Sequence, residues 1–135
     1  MKTINTFILF TLVLFQSCQS QEKMNTTSLN YFAQTRGFIY AIHLKNNELE
    51  LNNNTHIKKI TLTTNQKKEI NELLLKIDFK KIENNISIQD LAVDKAIKGT
   101  FELNFKAEDY SFDFNHNNLP ENIQQLITHL EEFTQ

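Results

Sequence analysis

Apolar and polar residues alternate along most of the chain at one of two periods, and the switches between them mark out its elements. Over residues 36–44, Phe38, Tyr40, Ile42 and Leu44 fall on one face and Ile39, Ala41 and His43 on the other. A period of two predicts a strand, and apolar side chains on both faces place it centrally in a sheet. Lys45-Asn46-Asn47 reads as a turn, Glu48-Leu49-Glu50-Leu51 as an amphipathic strand, and Asn52-Asn53-Asn54-Thr55 as a second turn. Residues 56–62 then alternate Lys58, Ile60 and Leu62 against Ile57, Lys59 and Thr61, completing an antiparallel meander.

At Thr63 the period changes. Thr63 and Gln66 stand three apart in capping-box spacing, and Ile70, Leu73, Leu74 and Ile77 recur at i, i+3, i+4 and i+7. Residues 78–94 place Phe79, Ile82, Ile86, Ile88 and Leu91 irregularly and read as a connection pinned by apolar side chains. Residues 99–106 return to period two, with Phe101, Leu103 and Phe105 inward. A turn at Ala107-Glu108-Asp109 leads to Tyr110, Phe112 and Phe114, inward again. After a loop from Asn115 to Pro120, Ile123, Leu126, Ile127, Leu130 and Phe133 form a second helical stripe. Asn118 and Glu121 stand in capping-box spacing before it, with Pro120 in the first turn. The order βββ-α-ββ-α predicts an α+β fold: an antiparallel sheet of about five strands with both amphipathic helices on one face.

Ahead of these elements the pattern is different in kind. Lys2 precedes a short apolar run, Ile8 to Phe15, and Gln16-Ser17-Cys18 closes it with a small residue before a cysteine. The run is too short and too weakly flanked for a spanning helix and has the anatomy of a secretory signal. A cysteine at the cleavage point makes residues 1–17 look like a bacterial lipoprotein signal, with Cys18 lipidated as the first mature residue. Phe15 and Gln16 relax the usual box. Cys18 is the only cysteine, so no disulfide can staple the fold. Residues 18–34 read as a polar tether without period, Leu29-Asn30-Tyr31-Phe32 being either its end or a first piece of structure. Residues 35–135 then form a single domain.

Charge narrows the partners. The chain carries 14 Lys+Arg against 16 Asp+Glu, and loss of Lys2 with the signal takes the net charge from −2 to −3. Nucleic acid, which needs a concentrated basic face, is excluded as a partner. No polybasic patch addresses lipid headgroups, so the membrane is reached through the acyl chains on Cys18. Gln19 after the cysteine points to the outer membrane of a cell envelope.

Most catalytic constellations are absent from the sequence. Two glycines, Gly37 and Gly99, cannot write a phosphate-cradling loop, and no nucleophile elbow occurs. His43, His56, His116 and His129 lack metal-ligand spacing, so neither a metal nor another cofactor is expected. Glu48, Glu50, Glu102 and Asp113 alternate with core residues and define a sheet face able to dock an envelope protein.

Three stretches carry a resemblance: Thr35-Arg36-Gly37-Phe38-Ile39-Tyr40, Val93-Asp94-Lys95-Ala96 and Phe114-Asn115-His116-Asn117-Asn118-Leu119-Pro120. Their order is similar to that of uncharacterised small lipoproteins from Bacteroidota. Those show an Arg-Gly-aromatic start, a Phe-Asp-Gly-Ala stretch and a Phe-Asp-His-Gly-Asn-Pro-Pro loop. Here Lys95 replaces the Gly of the second motif; Asn115, Asn117 and Leu119 replace the Asp, Gly and first Pro of the third. The resemblance implies a polar site at Arg36, Asp94 and His116 but no assigned activity. Two functions follow as expectations. The first is a non-catalytic, inhibitor- or immunity-like binding module; the second is a small envelope enzyme or ligand binder using those three residues. If Asp94 meets His116 at one end of the sheet, as a structural salt bridge between two loops or as part of such a site, its carboxylate raises the imidazole pKa.

Overall fold

A computed structural model describes residues 27–92 and 96–135; the expected signal, Cys18 and Asp94 lie outside the described residues. Six strands form one antiparallel sheet. They are β1 (Ser28–Thr35), β2 (Phe38–Lys45), β3 (Glu48–Asn52), β4 (Ile57–Thr61), β5 (Lys98–Phe105) and β6 (Glu108–Asn115). Spatially they run β4-β3-β2-β1-β5-β6. Helix α1 (Thr64–Lys76) carries the chain from the β4 edge back across the sheet. A 3₁₀ turn at Phe79–Lys81 and a short α2 (Ile88–Ala92) then precede β5. A second 3₁₀ turn, His116–Asn118, leads into α3 (Glu121–Glu132). The α+β class and the two covering helices are as expected.

The sixth strand is the difference. Ser28–Thr35 is no part of a tether: it is the strand that joins the two halves of the sheet, pairing with β2 on one side and β5 on the other. Leu29, Tyr31 and Ala33 are buried on its inner face, while Asn30 and Phe32 sit on the outer one. An aromatic residue facing out and an alanine facing in blur the alternation. Only pairing on both sides gives this stretch its place.

Inner-face side chains from all six strands meet the stripes of α1 and α3 in one core. Ile70 and Leu74 come from α1; Ile123, Leu126, Ile127 and Leu130 come from α3. The capping box of α1 forms, with Thr63 Oγ1 accepting from the Gln66 N–H at 3.2 Å and Gln66 Oε1 from the Thr63 N–H at 2.8 Å. The one expected for α3 does not. Asn118 is used up in the 3₁₀ turn, and the helix begins after Pro120, which is its N-cap.

The β5–β6 turn also shifts, to Lys106 and Ala107, which adopt left-handed φ of 54° and 62°. Side chains beyond glycine enter that region at about 1–2 kcal/mol each. Ala107→Gly is therefore expected to stabilise the domain by about 1 kcal/mol, read from the urea midpoint.

Candidate functional site

One end of the sheet holds Arg36 and His116, two of the three residues that the sequence singled out. The β1–β2 turn at Arg36-Gly37, the start of β5 and the end of β6 all lie there, because Ala33 pairs with Gly99 and Lys98 with Asn115. Arg36 and His116 thus share an end. Their side chains do not share a site. Arg36 is exposed in the turn and makes no ion pair among the described residues. His116 turns inward, where its ring lies 5.8 Å from Tyr31 (stacked), 5.4 Å from Phe38 and 5.1 Å from Tyr40.

Two polar links are built into this aromatic cluster. The Tyr31 hydroxyl lies 2.7 Å from His116 Nδ1, and the Tyr40 hydroxyl donates to Glu131 Oε1 on α3. Gly99 makes the first possible. Tyr31 leans along the sheet across its α-carbon, and a Cβ placed there meets the tyrosine Oη at 2.2 Å. Gly99 and its cross-strand neighbour Ala33 leave the space in which the phenol reaches the imidazole.

Burial raises the pKa of both tyrosines; for Tyr40 the bond to Glu131 and its charge add to the effect. Both phenols stay protonated in the working range, so Tyr31 donates and Nδ1 of a neutral His116 accepts. Burial also pushes the His116 imidazole below its usual 6.5, and among the described residues the Glu131 charge opposes it. The shift runs opposite to the one expected from a neighbouring carboxylate, because aromatic rings replace part of the water around the half-buried imidazole and disfavour its cation.

A pH dependence follows. The unfolded chain binds a proton at His116 near pH 6.5 while the folded one resists it. This contribution to stability is complete above that pH and is lost as pH falls through and below it. NMR titration of His116 is expected to give a midpoint under 6.5, lowered further in Glu131→Gln. A midpoint above 6.5 would restore the carboxylate-paired arrangement.

The cluster holds a neutral acceptor and two protonated phenols, already bonded to one another or to Glu131. Among the described residues no group of three His, Cys, Asp or Glu is placed to hold a metal. Tyr31, Tyr40 and Glu131 escaped sequence reasoning, although Gly99 inside an otherwise bulky strand is the mark of a close approach.

The second candidate is the sheet face opposite α1 and α3, helix-free in the sense that neither covers it. Glu48, Glu50, Glu102 and Asp113 share it, as the registers require. They do not form a bare acidic patch. Lys59 Nζ lies 3.1 Å from Glu48, and Asn30 Nδ2 donates to Glu102 at 3.1 Å. Lys98 Nζ lies 2.8 Å from Asp113, and with the Thr100 hydroxyl it holds that carboxylate below the usual range. Three rows of side chains cross the strands. One runs Thr100, Phe32, Ala41, Asn52 and Ile57, and the next Glu102, Asn30, His43, Glu50 and Lys59. The third runs Asp109, Asn104, Ser28, Lys45, Glu48 and Thr61, and between it and the second lies a shallow groove of about 480 Å³ lined by Asn30, His43, Glu102, Asn104, Asp109 and Ser111. Phe32 and Ile57 in the first row are 40% and 68% exposed.

Comparison of the chain with protein families, with curated proteins and with solved structures finds no match.

Proposed function

We propose that the protein is a non-catalytic binding module of a bacterial cell envelope, held to the outer membrane by acyl chains on Cys18 and docking a partner protein through its helix-free face. The observation that carries this is the one-sided covering of the sheet. Helices α1 and α3 pack on the same side, leaving the opposite face of the six strands with exposed Phe32 and Ile57 among carboxylates of which Glu48, Glu102 and Asp113 are paired. Apolar and aromatic anchors rimmed by paired polar groups are what protein interfaces use. The enzyme or ligand-binder reading through Arg36, Asp94 and His116 loses support from the His116 geometry, whose Nδ1 is already engaged by Tyr31. An inhibitor- or immunity-like role suits a small domain with these features.

Two measurements test the reading. Intact mass of the mature protein is expected to show an acylated Cys18, and Cys18→Ser is expected to leave unprocessed precursor; two or more chains are needed for stable anchoring. A photo-crosslinking residue at Phe32 or Glu50 is expected to trap one protein in the native envelope, while one at Lys68 on the solvent side of α1 traps none. Equal capture from both sides would sink the docking face.

A further inference from the structure

We propose that the outer edge of β4 is a strand-addition site. It takes an extended segment of a partner protein that sets an acidic residue opposite Lys59 and an apolar one opposite Ile57. This rests on the protein-binding reading and says how part of the partner is held.

The sheet has two edges, and the chain treats them differently. On β6 the backbone groups of Asp113 and Asn115 face outward, and residues before α2 cover them. Asn84 Oδ1 accepts from the Asp113 N–H at 2.9 Å and Asn85 Oδ1 from the Asn115 N–H at 2.7 Å. The Asn85 N–H donates to the Asp113 carbonyl at 3.2 Å. Side-chain amides thus stand in for a seventh strand along half of that edge.

On β4 the register fixes which groups point away. The Leu62 N–H donates to the Asn47 carbonyl at 2.7 Å and the Asn53 N–H to the His56 carbonyl at 3.1 Å. Even-numbered residues of this strand therefore bond to β3, and the N–H and C=O groups of Ile57, Lys59 and Thr61 face outward. Among the described residues none of these groups has a hydrogen-bond partner. Three outward residues are a short template, but one whose side chains all lie on the helix-free face, continuous with the docking surface.

Charge selects the occupant. Pairing with a second copy in full antiparallel register sets Lys59 against Lys59, like charges directly opposite. A strand with Glu or Asp at that place gains an opposite-charge pair along with the backbone bonds. Lys58 does not compete, since its ammonium donates to the Thr134 carbonyl at 2.8 Å on the other side of the sheet. The Lys59–Glu48 bridge joins two side chains more than half exposed and is weak enough to be shared.

The test uses the full chain in detergent and a blocked, soluble peptide of alternating Thr and Val with one central Glu, beside a twin carrying Lys in its place. Amide hydrogen exchange at Ile57, Lys59 and Thr61 is expected to slow with the Glu peptide, while Lys58 and Ile60, already bonded to β3, are unchanged. The twin is expected to bind about fivefold more weakly. Lys59→Glu, a change at an exposed side chain, should reverse the order. No slowing at the three amides, equal slowing with both peptides, or slowing that grows with protein concentration alone overturns the proposal. Its failure with crosslinks from Phe32 and Glu50 intact removes only the edge. Loss of those crosslinks with edge protection intact removes the face and keeps the edge.

Discussion

Replacing Gly99 with alanine is expected to destabilise the domain by about 3 kcal/mol, at the upper end for one added methyl in a packed interior. The new Cβ falls 2.2 Å from the Tyr31 Oη, 2.8 Å from Cζ and 2.9 Å from Cε2. A flexible side chain would swing aside. Tyr31 cannot, since it is fully buried, has Phe101 directly across on β5, meets Tyr40 edge-on and stacks on His116. Relief requires β1 and β5 to separate or the hydroxyl to leave His116, whose Nδ1 then loses its donor. Urea unfolding of Gly99→Ala, Tyr31→Phe and the double variant checks it. Removing the hydroxyl also removes the worst contact, so the double variant should lose less than the two singles together. A neutral Gly99→Ala, or strict additivity, would mean that the close approach does not constrain the fold.

Phe101→Ala is expected to cost about 3–5 kcal/mol, a large share of the stability of a domain this size. Phe101 is fully buried at the centre of an aromatic group, with ring centroids 6.5 Å from Phe79, 6.4 Å from Phe112 and 6.4 Å from Phe114. Its neighbours come from separate places: Tyr31 from β1, Phe112 and Phe114 from β6, Phe79 from the turn after α1. Truncation leaves a cavity that none of them can fill alone, because each is held by its own strand or turn. The same substitution at exposed Phe32 should cost far less. If the two variants unfold at the same denaturant concentration, the assignment of inner and outer faces is wrong.

Local pattern determined a good deal of this protein. Alternation in β2, β3, β5 and β6 was legible because one side of each strand meets the core, so the period of two is written into residues such as Phe101, Leu103 and Phe105. The stripes of α1 and α3 were legible for the same reason at a period of 3.6, and Thr63 with Gln66 marked the start of α1 through contacts three residues apart.

What local pattern could not decide depended on partners far along the chain. Ser28–Thr35 is a strand because β2 and β5 flank it, and its sequence, with Phe32 outward and Ala33 inward, does not alternate strongly enough to say so alone. The spacing of Asn118 and Glu121 suited a capping box, yet the turn that sets His116 against Tyr31, Phe38 and Tyr40 consumes Asn118 first. Strand direction alone left open whether Arg36 shares an end of the sheet with His116, and the pairing of β1 between β2 and β5 puts it there. Which way His116 turns was settled by Tyr31, Phe38 and Tyr40, and by the space over Gly99. Strand direction follows from the order of elements, whereas the orientation of a side chain follows from the volume that residues dozens of positions away leave for it.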